Sequence, residues 1–528
     1  LPPKVGRALA GAVLIGALAA VVVPSRASAQ SPVQSAPATD SRAAARCSAL
    51  TGTPVESGVV EGAESFAAGA TVVEGVTAGA QASANLCRVR LRLHPSRASD
   101  INVEVWLPDR WNNKLFGFGG SGFDGGLSPG GAVLLNKAVL QGYAAVESDA
   151  GHKPAPSLEA WVHHQPQKVI DFAYRGNHLA AMVAKQVIAA YYGDSARHSY
   201  FLGCSNGGRD AIMEVSHYPA DYDGVIAGAP ARRYLEIVTQ LIWYNQTLYG
   251  PGGAPNLASK QALVHQAIMK KCDALDGVKD GLLENPSRCV FDPAVLQCKG
   301  HDAPTCLTGA EVDAFRKIYR GPRLSDGEQV IRGPALGSEE PPDGWNAWVT
   351  SPQTAFFGQE FYRWMVYDDP DWKVENFKLD RDYPAARARL APILDADNPD
   401  LSAFTQHGGK LILYQGWDDP AVPALDTIQY YDQVRQRVGP AGASQVRLFM
   451  VPGMAHCAGG PGATSFDMQP ALESWVERGE APERVIAVKP GIGEPPFSHP
   501  LCAWPKTAHY NGIGSTTDAA NFTCREAR

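Results

Sequence analysis

One pentapeptide in this 528-residue chain has the types and order for covalent catalysis: Gly203-Cys204-Ser205-Asn206-Gly207. It fits G-x-S-x-G, in which glycines let the backbone turn sharply between a strand and a helix so that the serine hydroxyl projects from the end of the strand. A serine hydroxyl is a weak nucleophile at neutral pH and needs a base, which in turn needs an orienting acid. The chain order serine, acid, histidine is met by Asp419, in Gly416-Trp417-Asp418-Asp419-Pro420, and by His456, in Pro452-Gly453-Met454-Ala455-His456-Cys457. Acyl transfer also needs N–H donors for a developing oxyanion. The candidates are the backbone of Asn206 and that of Gly122, in the glycine loop Gly117-Phe118-Gly119-Gly120-Ser121-Gly122. Cys204 precedes the candidate nucleophile and Cys457 follows the candidate base, so assembly of the three groups would bring two sulfurs together and permit a disulfide.

These groups must be held at strand ends, and the surrounding sequence supplies such strands. Short apolar runs at Ile101–Leu107, Leu115–Phe118, Tyr143–Val146, Tyr200–Gly203, Gly224–Ala227, Lys410–Tyr414 and Val446–Val451 alternate with helical stretches near 172–192, 208–218 and 426–437. Strands alternating with helices imply an α/β fold with a mostly parallel sheet. Residues 232–400 interrupt the pattern with Trp243, Trp345, Trp348, Trp364 and Trp372 among many Tyr, Phe, Gly and Pro. We read residues 30–231 as the first part of the core behind a Ser/Ala/Pro-rich leader, 232–400 as an inserted lid domain covering one end of the sheet, and 401–528 as the second part of the core.

The N-terminus and the cysteines bear on compartment. Lys4 and Arg7 precede an apolar run from Ala8 to Val23, and Ala27-Ser28-Ala29 follows. That pattern predicts a signal peptide over 1–29, a secreted or periplasmic protein, and no membrane association after cleavage. Net charge is −7. Loss of residues 1–29 removes Lys4, Arg7 and Arg26 and no acid, which leaves −10. With that charge and no long basic run, nucleic acid is not an expected partner. Ten cysteines in an oxidising compartment are read as five disulfides. Short loops favour Cys272–Cys289, Cys298–Cys306 and Cys502–Cys524, while the sequence leaves the full connectivity open. A further cluster, Cys272-Asp273-Ala274-Leu275-Asp276-Gly277-Val278-Lys279-Asp280-Gly281-Leu282, spaces three carboxylates among glycines. Such a loop suits either a hard cation with oxygen ligands or a solvated acidic turn.

Cys204-Ser205, Asp419 and His456-Cys457, together with Trp111-Asn112, the Gly119–Gly122 loop and Pro452-Gly453-Met454, resemble the tannase/feruloyl esterase family, which includes mono(2-hydroxyethyl) terephthalate (MHET) hydrolases. The similarity runs from about Cys47 to Cys524. It implies an α/β-hydrolase core with a large lid, and hydrolysis of small aromatic carboxylic esters without an organic cofactor. It also implies the pairings Cys47–Cys87, Cys204–Cys457, Cys272–Cys289, Cys298–Cys306 and Cys502–Cys524. For the acidic loop it implies a structural Ca2+ in the lid, held by carboxylates of Asp273, Asp276 and Asp280 and by carbonyls of Val278 and Leu282. Trp348 and Gln415 are the implied substrate-facing residues, Gln415 standing where relatives often carry histidine. In the stretch 355–364 there is no match for the arginine with which MHET hydrolases would pair a free carboxylate, and Arg363 is out of register. Phenolic esters such as feruloyl or galloyl esters are therefore the expected substrates, with MHET as the alternative. A serine peptidase on the same fold and a non-catalytic binding module are the remaining readings.

Overall fold

Alternate residues along the central strands are apolar on both sides, so each strand must be covered twice. In the computed structural model, which describes residues 41–72, 80–123, 125, 129–153, 157–340, 344–351, 354–489 and 497–526, these strands build one ten-stranded sheet. The expected signal segment 1–29 lies outside the described residues. The sheet comprises β1 (Pro54–Val55), β2 (Gly58–Phe66), β3 (Leu86–Leu93), β4 (Ile101–Pro108), β5 (Lys114–Phe118), β6 (Ala144–Ser148), β7 (His198–Cys204), β8 (Gly224–Gly228), β9 (Lys410–Gly416) and β10 (Val446–Val451). Their order is β1-β2-β3-β4-β6-β5-β7-β8-β9-β10. Pairing is antiparallel from β1 through β4 to β6 and parallel from β6 to β10.

The two faces bury different neighbours. Tyr200, Ile226, Ile412 and Phe449 point to the side covered by Leu135 and Ala138 of the helix Pro129–Leu140 and by Leu472 and Trp475 of the helix Gln469–Arg478. Their sequence neighbours Phe201, Val225, Leu411 and Leu448 face the helices Asn206–His217 and Ala424–Ala443 on the other side. This period-two division is what a doubly covered parallel sheet requires.

Between β8 and β9 the described residues form helices and loops without a named strand. This insertion has its own core, in which Leu241, Tyr244, Ile268, Phe315 and Trp345 meet. It shares a second cluster with the sheet domain, where Val238, Phe361 and Trp364 pack with Trp161, Val169 and Phe172. Its two ends are tied together, since Ala396 donates its N–H to the Arg232 carbonyl at 2.7 Å and Arg232 pairs with Asp397 and with Asp426 of the core. Two small two-stranded sheets, β11 (Arg484–Lys489) with β12 (Phe497–Cys502) and β13 (Lys506–Tyr510) with β14 (Phe522–Glu526), close the C-terminus. All five disulfides carry the pairings implied by the resemblance. No described helix is long and apolar enough to cross a membrane.

The antiparallel side of the sheet hides a charge pair. Arg88 on β3 is 1 % exposed and donates from Nε to Glu104 Oε2 on β4 at 2.8 Å, and Trp106 Nε1 donates to the same oxygen at 2.8 Å. Removing one member of a buried pair leaves an uncompensated charge at about 3–5 kcal/mol, whereas apolar replacement of both is often close to neutral. Glu104→Gln is therefore expected to lower unfolding free energy by about that amount, and Arg88→Met/Glu104→Leu by much less. Urea denaturation of the three proteins checks it.

Candidate active site

Ser205 sits where β7 becomes the helix Asn206–His217, with backbone angles φ 62° and ψ −122°. Left-handed φ is unfavourable for a residue with a Cβ and persists only where surrounding structure enforces it. Here the enforcement is close backbone approach. A Cβ on Gly203 would lie 2.1 Å from the Gly207 carbonyl oxygen, and one on Gly207 would lie 2.5 Å from that of Gly120. Ser205 itself accepts at its carbonyl from the N–H of Arg209 and of Ala231, both at 3.0 Å, while its own N–H donates to Gly228 at 3.0 Å.

The loop after β10 brings His456 to this turn, and the loop after β9 brings Asp419. His456 Nε2 lies 2.8 Å from Ser205 Oγ, and Nδ1 lies 2.8 Å from Asp419 Oδ2. Asp419 is fully buried, and its Oδ1 accepts from the N–H of Ala421 and of Val422, each at 2.9 Å. Those bonds hold the carboxylate so that Oδ2 faces the imidazole. The Cys204–Cys457 disulfide, Cα–Cα 6.0 Å, links the residue before the serine to the residue after the histidine across 253 positions.

Gln415 corrects the sequence expectation. It does not reach toward a substrate: it is fully buried, and its Nε2 donates to Asp419 Oδ2 at 3.0 Å and to the Val422 carbonyl at 3.1 Å. Thr427 Oγ1 donates to Gln415 Oε1 at 2.8 Å and fixes the amide orientation. Residue 415 ends on the inner side of the acid loop because β9 continues through it to Gly416. Trp348, in contrast, stands beside the site, its ring 5.3 Å from that of His456 at 72°. Phe357 lies 6.5 Å from Trp348 and stacks on Phe123 at 5.2 Å, so three half-buried rings flank the histidine and the glycine loop. Arg363 is bound within the insertion, donating to Glu360 Oε1 at 2.9 Å and to the Trp372 carbonyl at 3.1 Å.

The loop after β5 contributes Gly122, at φ 58°. Gly119 and Gly120 commit their N–H groups to the Leu202 carbonyl at 3.0 Å and to Asp210 Oδ2 at 3.4 Å. Tyr234 OH donates to the Gly122 carbonyl at 2.9 Å. Asn206, the other candidate donor, begins the helix and is buried, its Oδ1 accepting from Arg209 Nε at 2.6 Å. Sequence reasoning missed His152, which lies 2.8 Å through Nε2 from the Phe123 carbonyl and stacks on Trp161 at 3.7 Å. The available signal was its place, four residues beyond β6, in a fold that sets functional groups after strands.

The acidic loop lies where the insertion meets the C-terminal strands. Asp276 Oδ1, Asp273 Oδ1 and Asp280 Oδ1 accept from the N–H groups of Val278, Gly281 and Leu282 at 2.9, 3.1 and 3.1 Å. Asp276, Val278, Asp280, Leu282, Glu284 and His499 line one small cavity. Burial, with Asp280 and Glu284 nearby, pushes the Asp276 carboxyl up to about 6. Crowded carboxylates and flanking carbonyls form a donor set that fits a hard cation.

Burial pulls the His152 imidazole down to about 4 from 6.5, so at neutral pH it is uncharged and its Nε2–H donates to Phe123. Its folded value is below its unfolded one, so its stabilising effect is complete above pH 6.5 and is lost as pH falls toward 4. The loss amounts to about 3 kcal/mol. His152→Gln, which retains a side-chain N–H, is expected to flatten the decline in stability between those values. Urea midpoints of both proteins across that range check it.

The profile of the tannase and feruloyl esterase family matches residues 87–525. The chain is 32% identical to an uncharacterized esterase of Xanthomonas campestris pv. campestris, over 92% of this chain and 92% of that protein. It is also 32% identical to the mono(2-hydroxyethyl) terephthalate hydrolase of Piscinibacter sakaiensis, over 80% and 81%. The crystal structure of feruloyl esterase B from Aspergillus oryzae superposes with a TM-score of 0.83 at 27% identity, covering 92% of this chain and 100% of that one. Family, relatives and fold agree on an α/β-hydrolase that cleaves carboxylic esters. The chain belongs to the tannase and feruloyl esterase family.

Proposed function

We propose that this protein is an exported serine esterase that hydrolyses aromatic carboxylic esters, with feruloyl and galloyl esters as its substrate class. The observation that carries the reading is the position of His456, 2.8 Å from both Ser205 Oγ and Asp419 Oδ2. Ser205 Oγ attacks the ester carbonyl while His456 Nε2 takes its proton and then delivers it to the departing alcohol. Asp419 keeps the proton on Nδ1 and stabilises the imidazolium, with Gln415 holding the carboxylate in place. Backbone N–H groups of Gly122 and Asn206 receive the oxyanion. Water, activated by the same imidazole, then cleaves the acyl-enzyme.

Three features support an aromatic, uncharged acyl group. Trp348, Phe357 and Phe123 offer flat apolar surface beside the histidine. Arg363 is engaged by Glu360, which removes it as a partner for a substrate carboxylate. Family membership brings phenolic esters, while the relative from Piscinibacter sakaiensis keeps MHET as the competing substrate. Five disulfides support export to an oxidising compartment. The acidic loop would hold a structural Ca2+ through Asp273, Asp276, Asp280 and the carbonyls of Val278 and Leu282. That ion would neutralise the crowded carboxylates and brace the insertion against the C-terminal strands.

Initial rates on methyl ferulate, methyl gallate and MHET, beside Ser205→Ala, test the reading. The expected result is faster turnover of ferulate or gallate than of MHET, with loss of at least about a thousandfold in Ser205→Ala. Preference for MHET would replace the substrate class, and activity in the variant would remove the mechanism. Chelation is expected to lower the melting temperature, since an ion at a hundredfold excess over its Kd contributes about 2.7 kcal/mol. Calcium should restore it, and Asp276→Asn should abolish the difference. Scanning calorimetry with and without chelator checks this.

A further inference from the structure

Two further groups of metal-capable side chains converge among the described residues: His178 with Glu214 and Asp221, and His163 with His164 and Asp368. In the first, Glu214 is 1 % exposed and His178 Nδ1 lies 2.6 Å from Asp221, the side chains of those two being 22% and 13% exposed. The second is open to solvent. His163, His164 and Asp368 side chains are 37%, 73% and 28% exposed.

The second group is assembled from two parts of the chain. His163 and His164 follow the short helix Glu159–Val162 of the sheet domain, while Asp368 ends the π-helical turn Phe361–Tyr367 of the insertion. His163 Nδ1 lies 2.7 Å from Asp368 Oδ1, and His164 Nδ1 lies 2.5 Å from Asp368 Oδ2. The two imidazoles stack at 3.9 Å, and His163 stands edge-on to Trp364 at 5.3 Å. Both ring nitrogens thus address one carboxylate, with apolar surface behind one ring and water in front.

Two imidazole nitrogens and a carboxylate oxygen are a preferred donor set for Zn2+, with a water in the fourth position. Zinc–nitrogen and zinc–oxygen bonds of about 2.0–2.2 Å in a tetrahedron separate neighbouring donors by roughly 3.3 Å. The present separations fall short of that by under about 1 Å, a movement within reach of a half-buried carboxylate at a helix end. Metal binding through Nδ1 would place each imidazole proton on Nε2, so the ion replaces the two hydrogen bonds to Asp368.

We propose that His163, His164 and Asp368 form a zinc-type transition-metal site that clips the insertion to the sheet domain. The clip has a route to the chemistry. Trp161, on the helix that precedes His163, stacks on His152, which bonds the carbonyl next to Gly122. An ion joining His163 and His164 to Asp368 would therefore couple the insertion to the residues that support the glycine loop.

The test is a calorimetric titration of the intact, metal-stripped protein with Zn2+ in excess Ca2+, which keeps the acidic loop filled. One Zn2+ per chain and a rise in melting temperature are expected. Both should be lost in Asp368→Asn and in His163→Ala/His164→Ala, and kept in His178→Gln. Co2+ in place of Zn2+ should give the visible absorption of a four-coordinate ion, absent from the same variants. No saturable binding, or binding unchanged in Asp368→Asn, would overturn the proposal. So would binding lost in His178→Gln alone, which would move the ion to the buried group.

Discussion

The structure depends on how closely two backbones approach at one turn. β7 runs into the helix Asn206–His217 with no room for a side chain between Gly203 and Gly207, and Ser205 is forced to a left-handed φ in the gap. Neighbouring segments use the same absence of side chains. Gly119 comes against Gly207, where an added Cβ would stand 2.8 Å from its Cα, and Gly208 meets the Gly228 carbonyl at 2.3 Å by the same measure. The glycine loop, the candidate nucleophile and the end of β8 are thereby held in one contact set. Strain at Ser205 is sustained because these packed backbones leave no relaxed alternative.

Around that turn, the site is made of pieces that are far apart in the chain and fastened separately. Asp419 is held by two backbone N–H groups and by Gln415, and His456 by Asp419 and by the adjacent disulfide. The glycine loop is held from below by Asp210 and from the side by His152 and Tyr234. Such redundancy is what positioning within a fraction of an ångström demands. The insertion adds the aromatic surface, and its ends are pinned by Arg232 between Asp397 and Asp426.

Much of the sheet is legible in the amino-acid order. β4, β5 and β7–β10 are apolar runs buried on both faces, and a run of that kind has few alternatives in an α/β chain. β2 is less clear, since Gly58-Val59-Val60-Glu61-Gly62-Ala63-Glu64 carries two glycines and its register shifts between Val60 and Gly62. β3 alternates apolar residues with Arg88, Arg90 and Arg92, which reads as a strand with a wet face; only the partner Glu104 turns Arg88 inward. The C-terminal strands are short, and they take their form from one another and from Cys502–Cys524.

The sequence alone determined the chemical vocabulary: a serine at a glycine-flanked turn, an acid and a histidine each placed after a strand, and cysteines set beside the serine and the histidine. Those features are local, because the end of a strand and a sharp turn are properties of a few consecutive residues. Tertiary structure decided which side chains serve the others. Gln415 faces the acid rather than a substrate because β9 turns it inward, and His152 supports the glycine loop because the loops after β5 and β6 lie side by side. Arg363 is neutralised by Glu360, its neighbour across one helical turn, and Asp368 meets two histidines more than two hundred residues away. Which partner a polar group finds depends on packing between distant segments, and no spacing along the chain encodes it.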